Sequence, residues 1–174
     1  MNTAEKQLFV KKLGTDSDEE LAKTLNYYRS NADLDMLPHI LELLASDRSD
    51  AAKDCILQLC NDVRDIDAAN IVFDFMAQTR DVVIKRKLMQ ALWSTGVDFS
   101  HKAEHIVGII TSTDDFEMAF EALSLLENST ESLSPTLASS LHDTITAAGQ
   151  SAPEIILSLY KAAKDYLLVK IHNA

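Results

Sequence analysis

The sequence predicts an all-α fold, a right-handed superhelix of about four antiparallel helix hairpins with atypical helices at each end. Three observations lead there. Only 4 Gly and 3 Pro interrupt 174 residues, so breaks are short and the Ala-, Leu-, Glu- and Lys-rich runs between them favour helix. Apolar residues recur at i, i+3, i+4 and i+7 in one segment after another, with no strand-like alternation. The distance between equivalent stripes is also close to constant. The length fits one domain, residues 1–174, with a sizeable core.

Residues 1–14 open with Leu8, Phe9 and Leu13 among Lys6, Lys11 and Lys12, and Gly14 stands where a C-cap belongs. This segment reads as a docking helix or a flexible tail. Ser17 and Glu20 form a capping box ahead of Leu21, Leu25 and Tyr28. The stripe then repeats as Leu37, Ile40, Leu41 and Leu44; as Ala52, Cys55, Ile56 and Leu59; and as Ala69, Val72, Phe73 and Met76. A shifted copy, Ile84, Leu88, Ala91 and Leu92, precedes two strict ones, Ala103, Ile106, Val107 and Ile110, then Phe116, Ala119, Phe120 and Leu123.

Short breaks with cap chemistry separate these stripes: Asp47 to Asp50, Asp62 to Asp67, Thr79 to Asp81, Thr95 to Asp98 and Ser112 to Asp114. Such links make neighbouring helices antiparallel hairpins. Pro38 requires its helix to start within the preceding turn, with Asp35 as the natural N-cap. Ser134-Pro135 opens a helix with Pro at its first position, and Ser151 with Glu154 reads as a capping box after Gly149. The last two helices run to about Ala148 and Leu168.

Aligning second helices sets Ala52, Cys55 and Leu59 against Lys85, Leu88 and Leu92, then against Phe116, Ala119 and Leu123. The offsets are 33 residues from Ala52 to Lys85 and 31 from Lys85 to Phe116. Recurrence on this scale marks a solenoid, in which no hairpin buries its apolar stripe alone. Asp81, Ile84-Lys85, Leu88 and Ala91-Leu92 resemble the second helix of a HEAT repeat: an acidic turn, a Val-Arg-like pair and an Ala-Leu ending. Ala119 and Ala122-Leu123 match the ending, and Cys55 with Leu59 more loosely, so the likeness spans about residues 33–128. The basic position is kept only at Lys85, being Ala52 and Phe116 elsewhere, and the repeats are short for the class. A HEAT-like or armadillo-like α-solenoid is what the resemblance implies, with a concave surface of second helices that holds a partner. The aromatic and glycine pattern of tetratricopeptide repeats is absent.

Composition narrows the function. A net charge of −11 and a pI near 4.7 oppose nucleic acid and anionic membrane. The one dense basic cluster, Lys85-Arg86-Lys87, reads as a solvated helix face. Cys55 and Cys60 point about 140° apart on one helix and cannot pair. They read as core fillers. Unpaired thiols, no apolar run of membrane length and no signal-peptide core in Met1 to Gly14 point to the cytoplasm.

His101 and His105, at i and i+4 with Glu104 beside them, have the spacing to share a metal. An exposed helical pair is the favoured reading. His39, His142 and His172 are scattered, and no Gly-x-Ser-x-Gly or phosphate-cradling loop occurs. The expectation is therefore a non-catalytic protein-interaction or scaffold module with no cofactor. A small metal-dependent enzyme and a structural homo-oligomer subunit are the alternatives.

The side opposite the stripes carries a second apolar ladder. Val82, Arg86, Met89 and Trp93 lie opposite Ile84; Leu57 and Asn61 opposite Cys55; Met118, Ala122 and Leu125 opposite Phe116. Packing on a neighbouring unit explains such a ladder. If part of it lines the concave face, Arg86, Met89, Gln90 and Trp93 are the partner-binding candidates, since Trp, Arg and Met concentrate in interface hot spots. The partner is a protein or peptide. Asp16, Asp18, Glu19 and Glu20, with Asp114, Asp115, Glu117 and Glu121, complement helix dipoles and would steer a basic one.

Overall fold

Ten α-helices, joined in places by 3-10 turns, make up residues 1–172, which the computed structural model describes; no strand occurs among them. They are α1 (Thr3–Thr15), α2 (Asp18–Ser30), α3 (Leu37–Glu42), α4 (Asp50–Asn61), α5 (Ile66–Gln78), α6 (Val82–Ser94), α7 (Ala103–Ser112), α8 (Phe116–Ser129), α9 (Pro135–Ala148) and α10 (Glu154–His172). The chain divides into two compact units, Met1–Thr95 and the residues from Gly96 onward, where the sequence marked no boundary. Gly96 takes the left-handed conformation, φ 71°, which its missing Cβ permits.

Short polar side chains start most of these helices by accepting the otherwise unpaired first-turn amides. The caps of the even-numbered helices in the first three pairs, and of α8, are Ser17, Ser49, Asp81 and Asp115, spaced 32, 32 and 34 residues apart. Counted from these caps, the inward positions coincide. Ala52, Ile56, Leu57, Leu59 and Cys60 of α4 correspond to Ile84, Leu88, Met89, Ala91 and Leu92 of α6, and to Met118, Ala122, Leu123, Leu125 and Leu126 of α8, all of them buried. The cap register thus replaces the offsets of 33 and 31 read from the hydrophobic stripes.

In the first unit α2 packs on α4 and α4 on α6, while α1 packs on α3 and α3 on α5. The polar ties give the direction of the first row. Lys87 Nζ reaches Asp54 at 2.9 Å and Ser94 Oγ donates to Asn61 at 3.1 Å. Both pairs are 33 residues apart, so the separation is preserved over two turns and α4 runs parallel to α6. Likewise Ser49 bonds Asp18 at the starts of α4 and α2, and Arg29 meets Asp62 at their ends, 2.9 Å. In the second unit α7 packs on α8 and α9, and α10 on α8 and α9. Asp98 ties the opening loop to the next by accepting Ser100 N–H (2.7 Å), Ser100 Oγ–H (2.6 Å) and Ser132 N–H (2.9 Å).

Several local expectations are corrected. Of the two readings of residues 1–14, the helix is the one observed, Thr3–Thr15, and the flexible tail is not. Asn2 and Glu5 form a capping box, Phe9 packs on Tyr28 with ring centroids 5.9 Å apart, and the Met1 ammonium meets Asp33 at 3.0 Å. Gly14 lies inside α1, whose C-cap is Asp16. Arg48 holds that end by donating to the carbonyls of Leu13 (2.7 Å) and Asp16 (2.6 Å) and pairing with Asp18 (3.1 Å). It thereby serves carbonyls the helix leaves open. Asp33, not Asp35, caps the 3-10 turn before Pro38, because that turn starts at Leu34 and takes Asp35 inside it. Ser151 does not cap α10: its hydroxyl donates to Ala148 at 3.5 Å and the helix starts three residues later.

Candidate interaction face

Helix α6 begins where the Asp81 carboxylate accepts the amides of Val83 (2.9 Å) and Ile84 (3.0 Å). On an ideal wheel its buried residues, Ala91, Ile84, Leu88, Leu92 and Met89, span about 160°. That arc is wider than one stripe because α6 packs on both α4 and α5. Val82, Arg86, Gln90 and Trp93 follow one another along the remaining side. Val82 is 46% exposed and Trp93 39%; Gln90 is exposed and Arg86 half-buried.

Met89 does not belong with them. It is fully buried, at the edge of the widened core arc, and is withdrawn from the partner-binding set. The same correction takes most of the second ladder into the core, since Leu57, Met118, Ala122 and Leu125 are all buried. Lys85 and Arg86 are half-buried and Lys87 pairs with Asp54, so the basic triplet is divided among different surroundings.

At the cap-equivalent positions α4 presents Asp50, Asp54, Gln58 and Asn61, a wholly polar set. Helix α8 presents Phe116, Phe120, Ser124 and Glu127 instead. Phe116 is 39% and Phe120 49% exposed, and their rings stack, centroids 6.4 Å apart and 15° from parallel. The sequence assigned both to the core, alongside Ala119 and Leu123, which are buried. The overlooked signal is charge. Glu117, Glu121 and Glu127 lie on the same side of the wheel as the two rings, whereas the side holding Met118, Ala122, Leu125 and Leu126 carries none.

The residues weighed for chemistry are dispersed. His101 lies in the 3-10 turn Ser100–Lys102 and His105 in the first turn of α7, so the one-helix geometry behind their spacing does not hold. Both are exposed. Among the described residues no group of three or more His, Cys, Asp or Glu is placed to hold a metal ion. Both thiols are free, and burial pushes that of Cys60 up to about 12, leaving it protonated and unreactive at neutral pH. Cys55 is half-buried. A cavity of about 550 Å³ in the first unit is walled by Tyr28, Leu34, Leu37 and Leu59 and edged by Arg29 and Asp62. Arg64 at its rim turns to the carbonyls of Asn61 (2.6 Å) and Val63 (2.7 Å). No described helix is long and apolar enough to cross a membrane. Comparison of the chain with known protein families, characterised proteins and solved structures finds no match.

Proposed function

We propose that this protein is a HEAT-like or armadillo-like α-solenoid that works as a non-catalytic interaction or scaffold module, needs no cofactor, and presents a helical surface to a protein or peptide partner in the cytoplasm. The parallel run of α2, α4 and α6 and the near-constant spacing of their caps support the repeat reading, because stacked hairpins place successive second helices side by side in one direction. A net charge of −11 disfavours nucleic acid as the partner.

The observation that carries the binding reading is the outward side of α6. Trp93 and Val82 stay exposed on a helix whose core arc is already filled, with Arg86 and Gln90 between them. Large apolar groups in a rim of polar ones mark contact surfaces. The test is affinity capture, well below every melting temperature, with wild-type protein and with Trp93→Ala and Arg86→Ala variants shown to be folded by circular dichroism. A polypeptide retained in fixed ratio by wild type and lost by both variants supports the reading. Indistinguishable captured sets contradict it.

A further inference from the structure

The outer side of α8 is a second surface with its own chemistry. Its two phenylalanines stack one helical turn apart, and neither is drawn into the core although Ala119 and Leu123 beside them are. In sequence, residues 103–160 hold nine carboxylates and no Lys or Arg, while the neighbouring α10 carries Lys161, Lys164 and Lys170. On an ideal wheel Glu127 falls about midway between Phe116 and Phe120, with Glu117 and Glu121 along the other margin. Glu127 is exposed, although partial burial still raises its carboxyl above the ordinary glutamate value, and it has no hydrogen bond or ion pair among the described residues. Carboxylates and exposed aromatic rings on one side of a helix make a surface that a basic helix improves twice, by ion pairing with the carboxylates and by packing on the rings.

We propose that the outer face of α8 docks a basic amphipathic helix of a partner protein. Leu-like side chains one turn apart would seat on Phe116 and Phe120, and flanking Lys or Arg would meet Glu117, Glu121 and Glu127. The spacing of the rings matches i, i+4 neighbours on a helix laid alongside. Charge selects the occupant: an acidic helix, or this same face on a second copy, would bring like charges together on a low-dielectric aromatic surface. This site stands apart from the α6 face, and either one can fail without the other.

The experiment uses the full chain and a fluorescein-labelled helical peptide of roughly 16 residues, with Leu at i, i+4 and i+7 and Lys elsewhere, against a counterpart with Glu in place of Lys. Fluorescence anisotropy should show saturable binding of the Lys peptide only, weakening as salt is raised. Phe116→Ala/Phe120→Ala should weaken it at least about tenfold, which is about 1.4 kcal/mol. The triple carboxamide variant Glu117→Gln/Glu121→Gln/Glu127→Gln, which leaves the rings in place, should weaken it and flatten the salt dependence. Circular dichroism melts show that both variants are folded. Equal binding of the two peptides, absence of Lys-peptide binding, or binding untouched by both variants overturns the proposal. So does a concentration-dependent dimer in sedimentation that Phe120→Ala abolishes, which would assign the face to a second copy of the chain.

Discussion

Helix α6 buries the stripe that its hydropathy marks out, whereas α8 turns part of the corresponding stripe to solvent. Both start on an aspartate cap and both are apolar on more than one side. In α6 Arg86 and Gln90 fall opposite Ile84 and Leu88, and only the half-buried Lys85 intrudes on the buried arc, so hydropathy and charge largely agree. In α8 they disagree, because the carboxylates of Glu117, Glu121 and Glu127 accompany Phe116 and Phe120. Burying a phenylalanine stabilises by about 1.5–3 kcal/mol, while taking a carboxylate out of water costs several before any pairing offsets it. The arc of Met118, Ala122, Leu125 and Leu126 supplies apolar surface without that cost, and it forms the core. In α8, apolar on more than one side, the charge-free arc is the one that lies inside.

Truncating opposite sides of the two helices should give the largest effects. Leu125→Ala and Leu92→Ala, both fully buried, should each lower the unfolding free energy by about 2–5 kcal/mol in urea melts. Phe120→Ala should cost less than about 1 kcal/mol. If Phe120→Ala proves the costlier of the α8 pair, the face assignment is wrong. Met89→Ala against Trp93→Ala repeats the comparison within α6. The methionine variant should lose about 2–4 kcal/mol and the tryptophan variant about half that or less, since Trp93 is 39% exposed. Next in size are the caps. Asp81→Ala and Asp115→Ala should cost about 1 kcal/mol each, and calorimetry showing no loss at either would remove the shared cap register.

Smaller still is the effect of Glu127→Gln, which sharpens the comparison through pH. Burial raises the Glu127 carboxyl above its ordinary value, so the folded state holds the proton more tightly than the unfolded state. The charged form therefore weakens the fold above the folded pKa, and that penalty is absent below the unfolded pKa of about 4.3. The carboxamide variant should be slightly more stable than wild type at pH 7. Its advantage should close as pH falls through the folded pKa and be gone below the ordinary glutamate value. A variant less stable at pH 7 would mean that Glu127 has a favourable partner.

Much of the helical framework was legible because periodicity and caps coincide. The stripes of Leu37 to Leu44, Ala69 to Met76 and Ala103 to Ile110 are buried throughout, and the Ser17 and Ser134 caps are as expected. Local patterns misled where long-range polar contacts intervene. Asp33, tied to Met1 and Lys6, caps the 3-10 turn and leaves Asp35 inside it, and residues 3–15 are fixed by partners at Asp33 and Arg48 that no local rule anticipates. On α6 the wheel put Val82, Arg86 and Trp93 on the side away from Ile84, where Val82 and Trp93 are exposed. Met89 was misplaced because one stripe cannot report how many neighbours a helix has. Phe116 and Phe120 were missed because hydropathy was weighed without charge.

The stacked-repeat reading rests on α4 and α6 running side by side in the same direction. Cysteine pairs tested with a short bis-maleimide, in a chain carrying Cys55→Ser and Cys60→Ala, measure this directly. Asp54→Cys with Lys87→Cys, and separately Asn61→Cys with Ser94→Cys, should cross-link rapidly and intramolecularly, while the crossed pair Asp54→Cys with Ser94→Cys should not. Efficient cross-linking of the crossed pair with loss of both others would show the helices to be antiparallel and would contradict the repeat architecture.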